Sequence, residues 1–267
     1  MKKDTKVLIL LGQSNMEGHS WTSYLLRHYS NDKIELYNAG LPVDIAFSCD
    51  FGTNNSNYEF ITVKTGLGYN EDRFGPEIGI AEHLISVNRN NEFKIIKYAV
   101  GGTTLKNFWR SPSSGTPGEC YARAIPFIHT MLKKLVASGY NPKVSAILFM
   151  QGESDACEGY HNEYEKLLFN FVKDLRHEFK AYAPKNGIYF IDALIKDQEI
   201  WTEHKIVNNA KRNLVKKLDN IVIVDTIAAN LTVNNEPDGE PDLAHYDSDA
   251  TIKLGHLFGE AITKHIK

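Results

Sequence analysis

Residues 7–16, Val7-Leu8-Ile9-Leu10-Leu11-Gly12-Gln13-Ser14-Asn15-Met16, join a short apolar run to a polar turn. Five consecutive aliphatic residues that end at a glycine are typical of a parallel strand covered on both faces. Four later segments have the same character, and we predict strands over 94–100, 144–150, 187–191 and 221–224. The repeated pattern predicts a central parallel sheet.

The segments between these strands follow helical patterns, which predict helices over 76–87, 121–137, 160–181, 203–218 and about 248–265. Gly75-Pro76-Glu77 places a proline and then an acidic residue at the start of the first helix, where both are favoured. Strands that alternate with helices indicate an α/β protein with a three-layer α/β/α architecture.

One stretch, residues 34–72, interrupts this alternation. It holds several aromatic residues, several glycines and the run Asn54-Asn55-Ser56-Asn57, without a helical period. We interpret it as an irregular insertion with short strands that forms a wall of a site, since long loops in compact domains are usually functional. The whole chain, 1–267, is then expected to form a single domain.

The composition excludes several classes of protein. With 267 residues, 42% of them hydrophobic and 24% charged, the chain has the make-up of a globular protein rather than of a disordered or coiled-coil one. The formal net charge of -3 offers no general basic field, so we expect no nucleic-acid partner. No segment approaches the roughly 18 apolar residues of a membrane span, so we expect no membrane partner.

The amino terminus and the cysteines bear on location and cofactors. The apolar run that follows the charged amino terminus is too short for a signal peptide, so we expect a cytoplasmic location unless a leader has been removed. Cys49, Cys120 and Cys157 are widely spaced and form no Cys-x-x-Cys pair, which argues against a disulfide framework or a zinc site. No His-Glu-x-x-His spacing occurs, and we expect neither a metal nor a cofactor.

Ser14 follows the first strand, and in open parallel sheets ligands bind at the carboxyl ends of strands. A serine on a tight turn there is either an exposed nucleophile or a helix cap, and the residues alone leave both open. A phosphate-binding loop of a flavin protein is a third interpretation, although the turn lacks the Gly-x-Gly-x-x-Gly pattern.

Three other junctions carry polar residues. Asp242 precedes His245 by three positions. Its carboxylate can therefore accept a hydrogen bond from the imidazole Nδ1–H and leave Nε2 free to act as a base. The alternative is that both residues belong to an ordinary polar loop. Gly101 and Gly102 follow a second strand and can either donate N–H groups to an oxyanion or make a tight strand exit. Gln151 follows a third strand, and its amide can either donate to the oxyanion or hydrogen-bond a neighbouring loop. We expect Glu153 to hold a neighbouring loop in place.

Taken together, Gly12-Gln13-Ser14-Asn15-Met16, Gly101-Gly102-Thr103, Gln151-Gly152-Glu153-Ser154-Asp155-Ala156 and Asp242-x-x-His245 resemble the motif set of the SGNH hydrolase superfamily. The similarity is greatest to its sialate O-acetylesterase-like and plant-type acetylxylan esterase-like carbohydrate esterases. It extends in order along nearly the whole chain. The resemblance implies a flavodoxin-like sheet.

The resemblance also implies roles for individual residues. Ser14 would be the nucleophile, His245 the base and Asp242 the acid that orients it. The oxyanion donors would be the Ser14 N–H, the N–H of Gly101 or Gly102, with Gly101 preferred, and the Gln151 side chain. Supporting or substrate-binding positions would be Gln13, Asn15, Glu153 and Trp109, where Trp109 is either a pocket wall or plain core packing.

The function expected from these residues is a serine esterase that removes O-acetyl groups from a carbohydrate through an acetyl-enzyme, with an acetylated sugar as its partner. A lipase-like or thioester hydrolase of the same superfamily and a non-catalytic carbohydrate-binding protein are the alternatives. The acetylated glycan and the oligomeric state are left open by the sequence.

Overall fold

The computed structural model describes residues 2–234, 236 and 242–267. The strands are β1 (Lys3–Gly12), β2 (Ser20–Trp21), β3 (Leu41–Cys49), β4 (Asn54–Asn55), β5 (Ile61–Val63), β6 (Arg73–Phe74), β7 (Phe93–Ala99), β8 (Tyr140–Met150), β9 (Tyr189–Ala193), β10 (Ile221–Val224), β11 (Val233–Asn234) and β12 (Asp242–Tyr246). The helices are α1 (Ser14–Glu17), α2 (Thr22–His28), α3 (Asn31–Ala39), α4 (Glu77–Ser86), α5 (Glu119–Ala137), α6 (Glu153–Cys157), α7 (His161–Glu178), α8 (His204–Leu214) and α9 (Ser248–His265).

A mostly parallel sheet forms the centre of the molecule, in the order β10-β9-β8-β1-β7-β3-β4. All pairs from β10 to β3 are parallel, and β4 and β5 pair antiparallel with β3 at one edge. The apolar residues 7–11 of β1 are fully buried, as expected of a strand covered on both faces. This architecture confirms the predicted α/β class with a central parallel sheet.

The chain order around β1 creates the crevice in which ligands bind in such sheets. β1 is followed in the sheet by β3 on one side, and β8 is followed by β9 on the other side, so the connections that leave β1 and its neighbour β8 run in opposite directions. The resulting gap lies outside the carboxyl ends of β1, β7 and β8. Ser14, Gly101 and Gln151 follow these three strands directly or within two residues.

The five predicted strands and five predicted helices all occur, with small differences at their ends. The last helix, 248–265, and the strand 221–224 begin and end where the sequence pattern places them. The strand predicted at 144–150 begins four residues earlier, at Tyr140. Among the described residues, no helix combines the length and the apolar character needed to cross a membrane.

The prediction of an irregular insertion over 34–72 was wrong for residues 34–49. Residues 31–39 form α3, and 41–49 form β3, which pairs in parallel with β7 inside the main sheet. α3 shows no helical period because Tyr37 is its only buried residue. β3 lacks a continuous apolar run because Pro42 and Asp44 interrupt its first half, where Asp44 forms an ion pair with Lys94 of β7. Only residues 50–72 contain the expected short strands.

Helices α4 and α9 cross at two glycines. A Cβ added at Gly79 would lie 1.9 Å from the carbonyl oxygen of Ile252, and one at Gly255 would lie 2.2 Å from that of Pro76. The helix backbones therefore touch where side chains would keep them apart. Since α9 begins two residues after β12, this contact also helps to set the position of β12.

We predict that Gly79→Ala destabilises the protein by about 1–3 kcal/mol, because the added methyl group overpacks the α4–α9 contact. At a solvent-exposed helix position the same substitution would stabilise the protein by up to about 1 kcal/mol. The sign of the change in unfolding free energy therefore shows whether the two helices are in close contact at Gly79. Urea unfolding followed by circular dichroism measures the effect. Glu260→Ala, at an exposed position of α9, is the matched control and should stay within about 0.5 kcal/mol of the parent. A Gly79→Ala variant as stable as the parent would contradict the packing argument.

Candidate active site

A cavity of about 350 Å³ opens at the carboxyl ends of the central strands. It is lined by Gln13, Ser14, His19, Asp50, Tyr69, Gly101, Gly102, Ser154, Trp201 and His245. The structure therefore brings Ser14 and His245, which are far apart in the sequence, to one cavity. A larger cavity of about 640 Å³ is lined by residues at the opposite ends of these strands, among them Lys3 and Lys143, and contains none of the predicted site residues.

Ser14 lies on the tight turn that leaves β1. The Gln13 N–H donates to the Met150 carbonyl, and the N–H groups of Met16 and Glu17 donate back to the Gln13 carbonyl. A Cβ at Gly12 would lie 2.0 Å from the Met150 oxygen, so the turn needs a glycine there. In the described part of the chain the Ser14 N–H donates to no protein group. It is therefore available to a ligand.

His245 and Asp242 are paired on β12. The imidazole Nδ1 lies 2.5 Å from Asp242 Oδ2, and Asp242 Oδ1 accepts from the Ala244 N–H. Burial raises the pKa of Asp242, but the hydrogen bond and the charge of His245 outweigh burial, and the pKa lies below its ordinary value. With Nδ1 facing the carboxylate, Nε2 is the ring nitrogen left for other partners.

Asn15 connects the turn to both neighbouring segments. Its Nδ2 donates to Glu153 Oε1 at 2.9 Å and to the Ala244 carbonyl, and its Oδ1 accepts from the Tyr246 N–H. The expected supporting role of Glu153 thus takes the form of a hydrogen bond to Asn15. Burial raises the pKa of Glu153, whose Oε2 has no hydrogen-bond partner within the described residues.

Glu17 and His19 lie at the site but were not singled out from the sequence. Glu17 is fully buried, accepts from the N–H groups of Asp50 and Gly101, and lies 3.0 Å from His19 Nε2. The His19 ring stacks on His245, with ring centroids 4.2 Å apart. Burial lowers the pKa of His19, against the opposing effect of its hydrogen bond to Glu17. The sequence offered one signal for this part of the site, which is that the charged residue Glu17 lies in a turn bounded by Gly12 and Gly18.

Gln151 does not reach the cavity, contrary to the expectation that it donates to an oxyanion. Its side chain is fully buried, and Nε2 donates to the Thr103 carbonyl at 3.0 Å and to Asp155 Oδ2 at 2.5 Å. Gln13 Oε1 is a further acceptor at 3.3 Å. The amide to which the resemblance gave the oxyanion role is therefore bonded to Asp155 and to the neighbouring loop at Thr103, which was the alternative interpretation.

Gly101 differs from expectation, and Trp109 agrees with one of its two interpretations. The Gly101 N–H donates to Glu17 Oε2 at 2.9 Å, so it is not free, whereas the Gly102 N–H has no acceptor among the described residues. Trp109 is fully buried, donates from Nε1 to Thr103 Oγ1, and packs edge-on against Tyr98. Its place in the core agrees with plain packing and not with a pocket wall.

One comparison with known proteins identifies a family, and another finds solved structures of similar fold. A family model described as carbohydrate esterase, sialic acid-specific acetylesterase, matches residues 4–264. A protein of Arabidopsis thaliana of known structure has a TM-score of 0.70 at 19% identity, over 98% of this chain and 99% of that one. NanS has a TM-score of 0.68 at 17% identity, over 99% of this chain and 98% of that one.

A carbohydrate acetylesterase from Xanthomonas citri has a TM-score of 0.57 at 14% identity, over 96% of this chain and 55% of that one. At these identities the three structures establish similarity of fold. No curated protein sequence matches the chain.

We predict that Asn15→Ala lowers the free energy of unfolding by at least about 2 kcal/mol, because it leaves the buried Glu153 carboxylate and the Tyr246 N–H without partners. Urea unfolding measures the change. Asn38→Ala, which removes an exposed asparagine bonded to Thr65, is the control and should cost no more than about 0.5 kcal/mol. Equal effects of the two substitutions would show that the Asn15 bridge is not needed for stability.

Proposed function

Because this chain belongs to the sialic acid-specific acetylesterase family of carbohydrate esterases, we propose that it removes O-acetyl groups from a sugar by a two-step serine mechanism. Membership makes the chain a carboxylic ester hydrolase. The observation that carries the serine mechanism is the presence of Ser14 and the Asp242-bound His245 on one cavity.

In the first step the Ser14 hydroxyl attacks the carbonyl carbon of the acetyl ester. His245 Nε2 takes the hydroxyl proton, and Asp242 stabilises the imidazolium that forms. The tetrahedral intermediate then collapses, the bond between the acetyl carbon and the sugar oxygen breaks, and His245 gives its proton to that oxygen. The sugar leaves as an alcohol, and the acetyl group stays on Ser14.

In the second step water attacks the acetyl-enzyme. His245 removes a proton from the water and returns it to Ser14 Oγ as the ester bond breaks, which releases acetate and restores the serine. The cavity of about 350 Å³ lies at the low end of the range for ligand pockets, which favours an acetyl group over a long acyl chain.

The oxyanion of each step needs donors that no protein group already occupies. The N–H groups of Ser14 and Gly102 meet this condition. A third candidate is the hydroxyl of Ser154, which lines the cavity. Ser154 Oγ accepts from Gln13 Nε2 at 3.3 Å, so its own proton is left for a ligand.

We predict that Ser14→Ala lowers kcat for acetate release from an acetylated sugar on the order of 10⁴- to 10⁶-fold, because the nucleophile is lost. Ser86→Ala, at an exposed serine of α4, should leave the rate unchanged. Mass spectrometry of the parent protein, quenched during turnover, should find one acetyl group on Ser14. Full activity of Ser14→Ala, or an acetyl group on another residue, would refute the mechanism.

Gln151→Ala and Ser154→Ala separate the two candidates for the side-chain donor. Ser154→Ala should lower kcat on the order of 10²-fold with the unfolding midpoint little changed, as expected for the loss of one oxyanion donor. Gln151→Ala should instead lower the midpoint in urea, because it leaves Asp155 and the Tyr164 hydroxyl short of a buried partner. A stable Gln151→Ala protein with kcat reduced 10²-fold or more, on the order of one lost donor, would reverse the assignment.

A further inference from the structure

We propose that His19 is a positioning residue for the reaction: its ring, held by the buried Glu17 and stacked on His245, sets the plane of that imidazole so that Nε2 is directed at the Ser14 hydroxyl. The role rests on the proposed function, since it needs His245 to act as the base. The observation that carries it is a pair of nearly parallel imidazole rings in the lining of the cavity, with centroids 4.2 Å apart and planes 13° apart.

Asp242 alone does not fix the orientation of the His245 ring. Its carboxylate holds one edge of the ring through Nδ1. The outer torsion of a histidine side chain has broad minima, so a ring held at one edge can still tilt, and Nε2 at the far edge moves with the tilt. Contact with the face of the ring removes this freedom. Among the described residues, His19 carries the ring that stacks on His245.

The ring of His19 is itself held in place. Its Nε2 lies 3.0 Å from Oε2 of Glu17, a fully buried side chain that also accepts from the N–H groups of Asp50 and Gly101. Because a carboxylate that accepts on both oxygens binds the protonated nitrogen of a neutral imidazole, Nε2 is the donor. Tyr69 also stacks on this ring, with centroids 5.0 Å apart. The face presented to His245 is therefore fixed.

Glu17 and His19 belong to the same turn as the nucleophile. Helix α1 begins at Ser14 and ends at Glu17, and His19 follows two residues later. A Cβ added at Gly101 would lie 2.9 Å from Glu17 Oε2, 3.3 Å from His19 Nε2 and 3.6 Å from Ser14 Cβ, so these groups converge on one small space. Stacking on His19 therefore fixes His245 relative to the turn that carries Ser14, although β12 lies near the other end of the chain.

The His19 ring is neutral at neutral pH. Burial lowers its pKa and the charges of His245 and Arg73 lower it further, against the hydrogen bond and the charge of Glu17. Arg73 is a persistent source of positive charge, since its Nε and Nη1 have no hydrogen-bond partner among the described residues. A neutral ring allows His245 to take up the Ser14 proton without a second positive charge against its face.

Three substitutions at His19 separate the ring contact from the hydrogen bond to Glu17. His19→Phe keeps a ring against His245 and removes the bond, and it leaves Glu17 its two backbone donors. His19→Gln keeps an amide donor for Glu17 and removes the ring, and His19→Ala removes both. His177→Ala, at an exposed histidine of α7, is the control and should leave the kinetics unchanged.

The kinetics are measured with 4-nitrophenyl acetate and with an O-acetylated sugar. For His19→Ala and His19→Gln we expect kcat to fall on the order of 10- to 100-fold on both substrates, with KM within about threefold of the parent, because the base is misaligned in the transition state. His19→Phe should keep kcat within about threefold of the parent, since the ring contact remains.

Two kinetic outcomes contradict the role of His19. A His19→Phe protein no more active than His19→Gln would show that the ring contact is not what matters. A loss confined to KM for the sugar would show that His19 contacts the substrate instead. The comparison of His19→Phe with His19→Gln decides the matter even if His19→Ala does not fold, which urea unfolding of each variant reveals.

A signal from the free protein separates this role from the esterase activity. The proton between His245 Nδ1 and Asp242 should give a far-downfield proton NMR resonance, identified by its absence from His245→Ala. We expect it sharp and unshifted in His19→Phe, and broadened or shifted in His19→Ala and His19→Gln, because the ring can then tilt. An unchanged resonance in all three variants would overturn the positioning role. No acetate release by the parent, with a resonance that responds as expected, would overturn the esterase assignment while the hold of His19 on His245 stands.

Discussion

The side chain of Asn15 holds together the parts of the site that are most distant in sequence. Its Nδ2 donates to the carboxylate of Glu153 and to the carbonyl of Ala244, and its Oδ1 accepts from the N–H of Tyr246. A primary amide offers two donors and a carbonyl acceptor, so one buried residue can satisfy a carboxylate, a carbonyl and an N–H together. Because His245 lies between the two bonded backbone groups, the amide sets its strand against the Ser14 turn.

Two buried carboxylates support this turn from opposite sides. Glu17 accepts from two backbone N–H groups, and Glu153 accepts from Asn15. Burial of a carboxylate is unfavourable unless hydrogen bonds compensate for the lost water, and for Glu153 the compensation is incomplete, which is why its pKa is raised. Glu17 thus holds two backbone groups of the site, and Glu153 holds the Asn15 side chain.

The hydrogen bonds made by these buried side chains also decide which polar groups remain free for a ligand. An N–H that already donates to a carboxylate is not available to an oxyanion, so Glu17 removes Gly101 from the candidates and leaves Gly102. In the same way Asp155 and Thr103 engage the Gln151 amide. Within the described part of the chain, the N–H groups of Ser14 and Gly102 at this cavity donate to no protein group.

The sequence by itself determined the sheet, the five main helices and the four polar junctions, because apolar periodicity and turn residues are local properties. It missed α3, since an exposed helix buries too little to show a period, and it missed β3, since Pro42 and Asp44 interrupt the apolar run of that strand. Tertiary structure alone decided which polar atom faces which. Gln151 and Gly101 lie where an oxyanion donor is expected, yet their hydrogen bonds go to the Thr103 carbonyl and to Glu17, which are 48 and 84 residues away in sequence. Hydrogen bonds between distant residues leave no trace in local sequence patterns.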